Sequence, residues 1–257
     1  MSFPLILPIC FTVILFHQII FFYTTLLFQF AEEAQFLGMT LDSHLTWDGH
    51  CKQVANKISR NSGAISRVKK LLPPDSLKLL YNSFVLPHLQ YGLAVWGGCT
   101  GENKKRIVAI QKRATRVISK AHYTSHTEPR MKKLGMLKLG ELYEQQCATL
   151  LHDVTYNRAP KPIKTLLTFN REVTSHSLRN HQNDPHNIRV PLAKNKVSSN
   201  SFCSKGPLIW NRLPKDLKDI ERKSIFKSKL KQYFLNRYIL SCDCNNPRCF
   251  DQRHHHC

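Results

Sequence analysis

Residues 73–120 read PPDSLKLLYNSFVLPHLQYGLAVWGGCTGENKKRIVAIQKRATRVISK. The first half is apolar and aromatic, with Leu77, Leu80, Tyr81, Phe84, Leu89, Tyr91 and Trp96. Pro73–Pro74 opens a helix with Asp75 and Ser76 in its first turn, and Pro87 interrupts it at Leu86. A shorter helix is expected to reach Trp96, and Gly97–Gly98 with Gly101 form a loop. The second half is a basic amphipathic helix, expected over Glu102–Lys120. Ile107, Ile110, Ala114, Val117 and Ile118 share one face, and Lys105, Lys112, Arg113, Arg116 and Lys120 share the other. One half builds a core, and the other presents cations to a polyanion.

Upstream, Phe36–Leu41 has β character, Asp42–Ser43 reads as a turn, and Thr46 is placed as the N-cap of a helix over Trp47–Leu72. Val54, Ile58, Ile65, Val68 and Leu72 recur at helical spacing on it, while Lys52, Lys57, Arg60, Arg67, Lys69 and Lys70 cover the rest. Residues 1–30 contain no Asp, Glu, Lys or Arg. Such a run, about twenty residues after Pro8, is long enough to cross a bilayer. It lacks the basic start and cleavage site of a signal peptide. Two readings stand: a membrane span that leaves the basic remainder on the cytoplasmic side, or a leader foreign to the domain that follows.

Downstream, His122–Pro129 reads as a loop, followed by a short helix from Met131 to Met136 and a longer one from Lys138 to Asn157. Asn157–Pro162 is a breaker cluster. Residues 170–200 are polar with little periodicity and read as a long flexible segment. Order is expected again from Phe202, with a last helix over Ser224–Leu240. The expected architecture is therefore mainly α, with a short β lead-in near 36–41 and an N-terminal hydrophobic helix. Four regions follow: the uncharged segment 1–30, a helical part 31–160, an extension 161–241, and a Cys/His-rich tail 242–257.

The 257 residues carry 38 Lys and Arg against 17 Asp and Glu, a net charge of +21. Such an excess raises self-repulsion that an anionic partner relieves, nucleic acid first and an anionic membrane second. The nine cysteines are odd in number and unevenly placed, which fits a reducing compartment better than a secreted disulfide framework. Cys242, Cys244, Cys249 and His254 bring four soft ligands close together, a candidate zinc set; a tail without metal is the plainer alternative. No phosphate-binding G-x-x-x-x-G-K-[ST] loop, G-x-S-x-G elbow or H-E-x-x-H helix occurs. His50 beside Cys51 reads as a packing pair rather than a nucleophile with its base. Tyr81, Tyr91, Trp96 and Trp210 are conceivable base-stacking residues, but large aromatics at helical spacing belong first to a core.

The ordered set of short motifs resembles a known family. Phe36–Leu37–Gly38 followed by Leu45–Thr46–Trp47 is similar to the segment just after the catalytic core of non-LTR retrotransposon reverse transcriptases. Leu79–Ser83, Leu86–Leu89, Tyr91–Gly92 and Val95–Gly97 resemble the helical block that follows there. Ile110–Ala114 with Arg116–Ile118 is similar to its L-Q-K-R-A-x-R-x-I segment, and His126–Pro129 with Leu134–Leu137 to the next. Ile209–Pro214 with Phe226–Lys227 resembles its W-N-x-L-P…F-K closing segment. The resemblance runs over residues 36 to about 240 and points to the jockey-like branch.

That resemblance implies a thumb and post-thumb extension, with Phe36, Leu37 and Gly38 near the primer grip. It implies an RNA/DNA primer–template duplex as partner, together with the palm and fingers of a complete polymerase. The family's catalytic Y-x-D-D motif serves two-metal chemistry, and this chain has no Asp–Asp pair. The expectation is a truncated fragment, not an enzyme by itself, that binds nucleic acid regardless of sequence, with Lys105, Lys112, Arg113, Arg116 and Lys120 as the contacts. It would act in the nucleus or cytoplasm. A single-span membrane protein, if residues 9–30 cross a bilayer, and a zinc-binding interaction module are the alternatives.

Overall fold

A computed structural model describes residues 32–170 and 186–238. The described chain is mainly helical, with one two-stranded sheet. Strands β1 (Glu33–Phe36) and β2 (Met39–Asp42) pair antiparallel, with Phe36 opposite Met39 and Glu33 opposite Asp42. The β lead-in is thus a hairpin. Leu37 and Gly38 form its turn at φ 47° and 75°, the left-handed pair that suits a two-residue hairpin connection. Gly38 takes that conformation without steric cost, whereas Leu37 requires the strands to enforce it.

Helices α1 (Asp48–Val68), α2 (Pro74–Phe84), α3 (Leu86–Gln90), α4 (Leu93–Trp96), α5 (Gly101–Ile118) and α6 (Glu128–Leu134) follow. Then come α7 (Leu139–Thr155), α8 (Lys161–Lys164), α9 (Lys196–Asn200), α10 (Phe202–Asn211), α11 (Lys215–Lys218) and α12 (Lys223–Asn236). Helix α1 stops four residues before the expected Leu72. The N–H groups of Leu71 and Leu72 both turn onto the Val68 carbonyl, at 3.0 and 3.2 Å, ahead of Pro73–Pro74. Asp42, expected only as a turn residue, accepts hydrogen bonds from the Thr46 and Trp47 N–H groups at 2.8 and 2.7 Å. It leads the chain into α1 together with Thr46, whose Oγ1 accepts the Asp48 N–H at 3.4 Å as the expected cap does. Helix α6 begins at Glu128, three residues earlier than expected, because Pro129 sits in its first turn, where a missing N–H costs nothing. Part of the segment read as flexible is built: Phe169 bridges Ile188, and α9 covers Lys196–Asn200.

The chain divides into two compact units. Among the described residues, one comprises 32–50, 92–101, 142–170 and 186–230, and the other 51–91, 102–141 and 231–238.

In the first unit Trp96 and Trp210 are fully buried. The His50 ring meets Trp47 and Trp96 edge-on, with centroids 6.4 and 5.6 Å apart. His50 is buried, as a packing role requires, and so is Cys51, the first residue of the second unit. The Trp210–Asn211 pair of the closing segment has a structural role. Trp210 Nε1 donates to the His186 carbonyl at 2.8 Å. Asn211 exchanges two hydrogen bonds with the Ile188 backbone, at 3.0 and 2.8 Å. These bonds pin the backbone of His186 and Ile188 to the end of α10. His152 stacks flat on Phe226, centroids 4.2 Å apart, and its Nε2–H donates to the Ile220 carbonyl at 2.7 Å. Gly98 is a close approach: a Cβ there would lie 2.1 Å from the Asn200 carbonyl oxygen.

In the second unit Leu77, Val85, Leu89, Ile58, Ile107 and Ile118 are fully buried. Each such side chain contributes about 1.5–3 kcal/mol by leaving water. The apolar face of α5 differs from the expected one. Ile110 and Val117 are only half-buried, while Gln111 and Thr115 are buried. Gln111 Nε2 donates to Tyr81 Oη at 3.1 Å and to the Leu137 carbonyl at 2.9 Å, and its Oε1 accepts from the Leu139 N–H at 3.0 Å. One amide thus ties α2, α5 and the start of α7 together. Burial, partly offset by the Gln111 bond, pushes the Tyr81 hydroxyl up to about 12.

Candidate nucleic-acid interface

The candidate interface lies in the second unit, where the C-terminal ends of α1 and α5 meet an open groove of about 850 Å³. Lys69 and Lys70 reach it from just after α1, and Arg113, Arg116 and Lys120 from the last turns of α5. No acidic side chain lines it. Each helix C-terminus brings about half a negative charge. Five cations against two such termini leave about +4, so the groove is positively charged on balance.

The end of α5 is shaped by a closing turn. The Ala121 N–H bonds the Arg116 carbonyl at 2.9 Å, and the Lys120 N–H bonds the Val117 carbonyl at 3.2 Å. This is the Schellman pattern, and the residue it places in the left-handed region is Lys120, at φ 50°. A side chain in that region costs on the order of 1 kcal/mol where glycine would pay nothing. The turn sends His122 and Tyr123 onto the same groove. Tyr123 is 78% exposed, and its ring lies 4.5 Å from that of His122.

Arg116 is half-buried, and its Nε donates to the Ser125 carbonyl at 2.9 Å. Burial, with Arg130 as a like-charged neighbour, pulls its guanidinium below the ordinary arginine value.

Of the five cations expected on α5, the structure brings Arg113, Arg116 and Lys120 together in the groove. Lys112 is exposed but does not line it. Lys105 sits in the first turns of the helix and pairs with Glu102 at 2.8 Å, both exposed. Lys69, Lys70, His122 and Tyr123 were not singled out as binding residues. Their signal in the sequence was only a pair of lysines at a helix end and an aromatic after a helix stop. Phe36, Leu37 and Gly38 form the end of the hairpin, with Leu37 and Gly38 exposed. Tyr81, Trp96 and Trp210 are core residues, and Tyr91 is 44% exposed.

The candidate zinc ligands Cys242, Cys244, Cys249 and His254 lie outside the described residues, as does the hydrophobic segment 1–30. Among the described residues no cluster of three potential metal ligands occurs, and no helix is long and apolar enough to cross a membrane.

No family model and no solved structure matches the chain. Three proteins of Drosophila melanogaster are similar to it. Over 189 residues it is 25% identical to the probable RNA-directed DNA polymerase from transposon X-element, covering 72% of this chain and 17% of that protein. Over 94 residues it is 29% identical to the probable RNA-directed DNA polymerase from transposon BS, covering 35% of this chain and 10% of the relative. Over 111 residues it is 31% identical to the RNA-directed DNA polymerase from mobile element jockey, covering 42% of this chain and 12% of the relative. The matched stretches amount to less than a fifth of each relative's length. The chain carries a jockey-like region related to the RNA-directed DNA polymerases of non-LTR retrotransposons.

Proposed function

We propose that this region is thumb-like and holds nucleic acid through its phosphate backbone, without regard to base sequence. The observation that carries this reading is the groove of the second unit, where five cations converge and no carboxylate answers them. Lys and Arg that replace condensed counterions on a phosphate backbone give affinity that carries no sequence information. The ligand in this reading is an RNA/DNA primer–template duplex, the substrate class of the RNA-directed DNA polymerases it resembles. Phosphate contacts, groove shape and the 2′-hydroxyl suffice to recognise it. The role is holding rather than chemistry, since the 257 residues contain no Asp–Asp pair for two-metal catalysis. Palm and fingers of a longer polymerase are the partners that would supply it.

The test is fluorescence anisotropy of the full chain against a labelled RNA–DNA hybrid over a salt series. Binding should weaken steeply with salt, and the double variant Arg113→Ala/Lys120→Ala should bind more weakly with a shallower salt dependence. Those two are chosen because Arg116 also holds the Ser125 carbonyl. Equal binding by the variant and the native chain at every salt concentration sinks the assignment of the groove.

A further inference from the structure

Phosphate binding leaves one part of the groove without a use: the ring of Tyr123. It is 78% exposed, yet it shares the groove with Lys69, Lys70, Arg113, Arg116 and Lys120. Tyrosine buries a large apolar face when it serves a core, and this one does not. The ring is held rather than dangling. It follows the closing turn of α5, and the His122 ring lies against it at 47°. His122 is itself fixed by a 2.8 Å hydrogen bond between its Nδ1 and Thr124 Oγ1. An open aromatic face beside a track of cations is the arrangement that binds single strands: the cations follow the backbone and the ring stacks a base.

We propose that the groove also takes an unpaired stretch of nucleic acid that continues a bound duplex, with one base stacked on Tyr123 and its flanking phosphates on the groove cations. A base inside a duplex is already stacked on both faces and cannot offer one to a side chain. An unpaired base can, and because every base has a π-face the contact needs no particular sequence. The volume of about 850 Å³ lies within the roughly 300–1,000 Å³ of ligand clefts and leaves room for a base with its sugar and phosphate. This inference rests on the reading that the groove binds phosphates, and it adds what kind of strand enters.

The experiment measures affinity of the full chain, by anisotropy at fixed salt, for three labelled probes. These are a single strand of roughly twelve thymidines, a base-free abasic backbone of the same length, and a blunt RNA–DNA duplex. The chains compared are native, Tyr123→Leu, which removes the π-face and keeps apolar bulk, and Tyr123→Phe, which keeps the face. The expected result is a loss of about fivefold to hundredfold for Tyr123→Leu on the thymidine strand only. Tyr123→Phe should match the native chain on every probe. A Tyr123→Leu variant that binds all three probes as the native chain does, or weakens all three equally, overturns the inference and leaves the phosphate groove standing. Absence of salt-dependent binding to any probe by the native chain removes both. Thermal midpoints of the variants, expected to equal the native one because Tyr123 is exposed, separate lost binding from lost structure.

Discussion

Replacing Lys69 and Lys70 together by alanine isolates the contribution of the cations that α1 brings to the groove. Both are exposed and line the groove from outside α5. Each lysine that neutralises a phosphate on a duplex contributes about −0.9 to the slope of log affinity against log salt. Removing two should make that slope shallower by about 1.8. At 150 mM salt the lost counterion release corresponds to about 2 kcal/mol, or about 30-fold in affinity, and at 50 mM to about 200-fold. The assay is a salt titration of hybrid-duplex binding by the native and doubly substituted full chains. Lys105→Ala is the control, since Lys105 is paired with Glu102 away from the groove. A slope unchanged in the double variant, or lowered as much by the control, refutes the claim that the ends of α1 and α5 form one anion site. The binding would then come from the diffuse charge of +21.

Gln111→Leu keeps the volume of the side chain but strands Tyr81 Oη, the Leu137 carbonyl and the Leu139 N–H in a buried site. A loss of about 2–4 kcal/mol in denaturant unfolding is expected, and a loss below about 0.5 kcal/mol would contradict the bridging role. Gly98→Ala drives a Cβ toward the Asn200 carbonyl and should cost about 1–3 kcal/mol, read as a lower thermal midpoint. Acidification should also destabilise the fold. Burial, opposed by the Ile220 bond and aided by Arg158, holds the His152 imidazole below its ordinary 6.5. The unfolded chain then binds a proton that the folded chain refuses, so this contribution is complete above pH 6.5 and is lost as pH falls from there through the folded value. Thermal midpoints measured from pH 8 to 5 should decline in the native chain and decline less in His152→Gln; parallel curves would rule His152 out as the cause.

Much of the helical order was legible because periodicity and punctuation are local. Ile58, Ile65 and Ile118 sit in the core where their spacing places them, and the breaks at Pro73–Pro74 and Gly135 fall where those residues stand; the break expected at Leu86 falls one residue earlier, at Val85, and Pro87 sits in the first turn of α3. The β lead-in was read as one strand because its turn is the Leu37–Gly38 pair inside the apolar run, and leucine is a poor signal for a left-handed turn. Gln111 was counted on neither face of α5, since a polar residue at a buried helical position announces itself only through partners 26 to 30 residues away.

The sequence alone determined that this chain is basic, helical and similar over much of its length to one polymerase family, and that α5 has a charged face. These follow from composition and from repeats of three and four residues, which depend on near neighbours. Only the tertiary structure decided which charges act together. Arg113, Arg116 and Lys120 share a groove with Lys69 and Lys70, from another helix, and with Tyr123, beyond a turn. Lys112, one residue from Arg113, lies outside it. The physical reason is that an electrostatic site depends on distance through space, which sequence separation does not measure. The direction in which a helix end turns its chain, here set by Lys120 in a left-handed conformation, is fixed by the hydrogen bonds of the folded state.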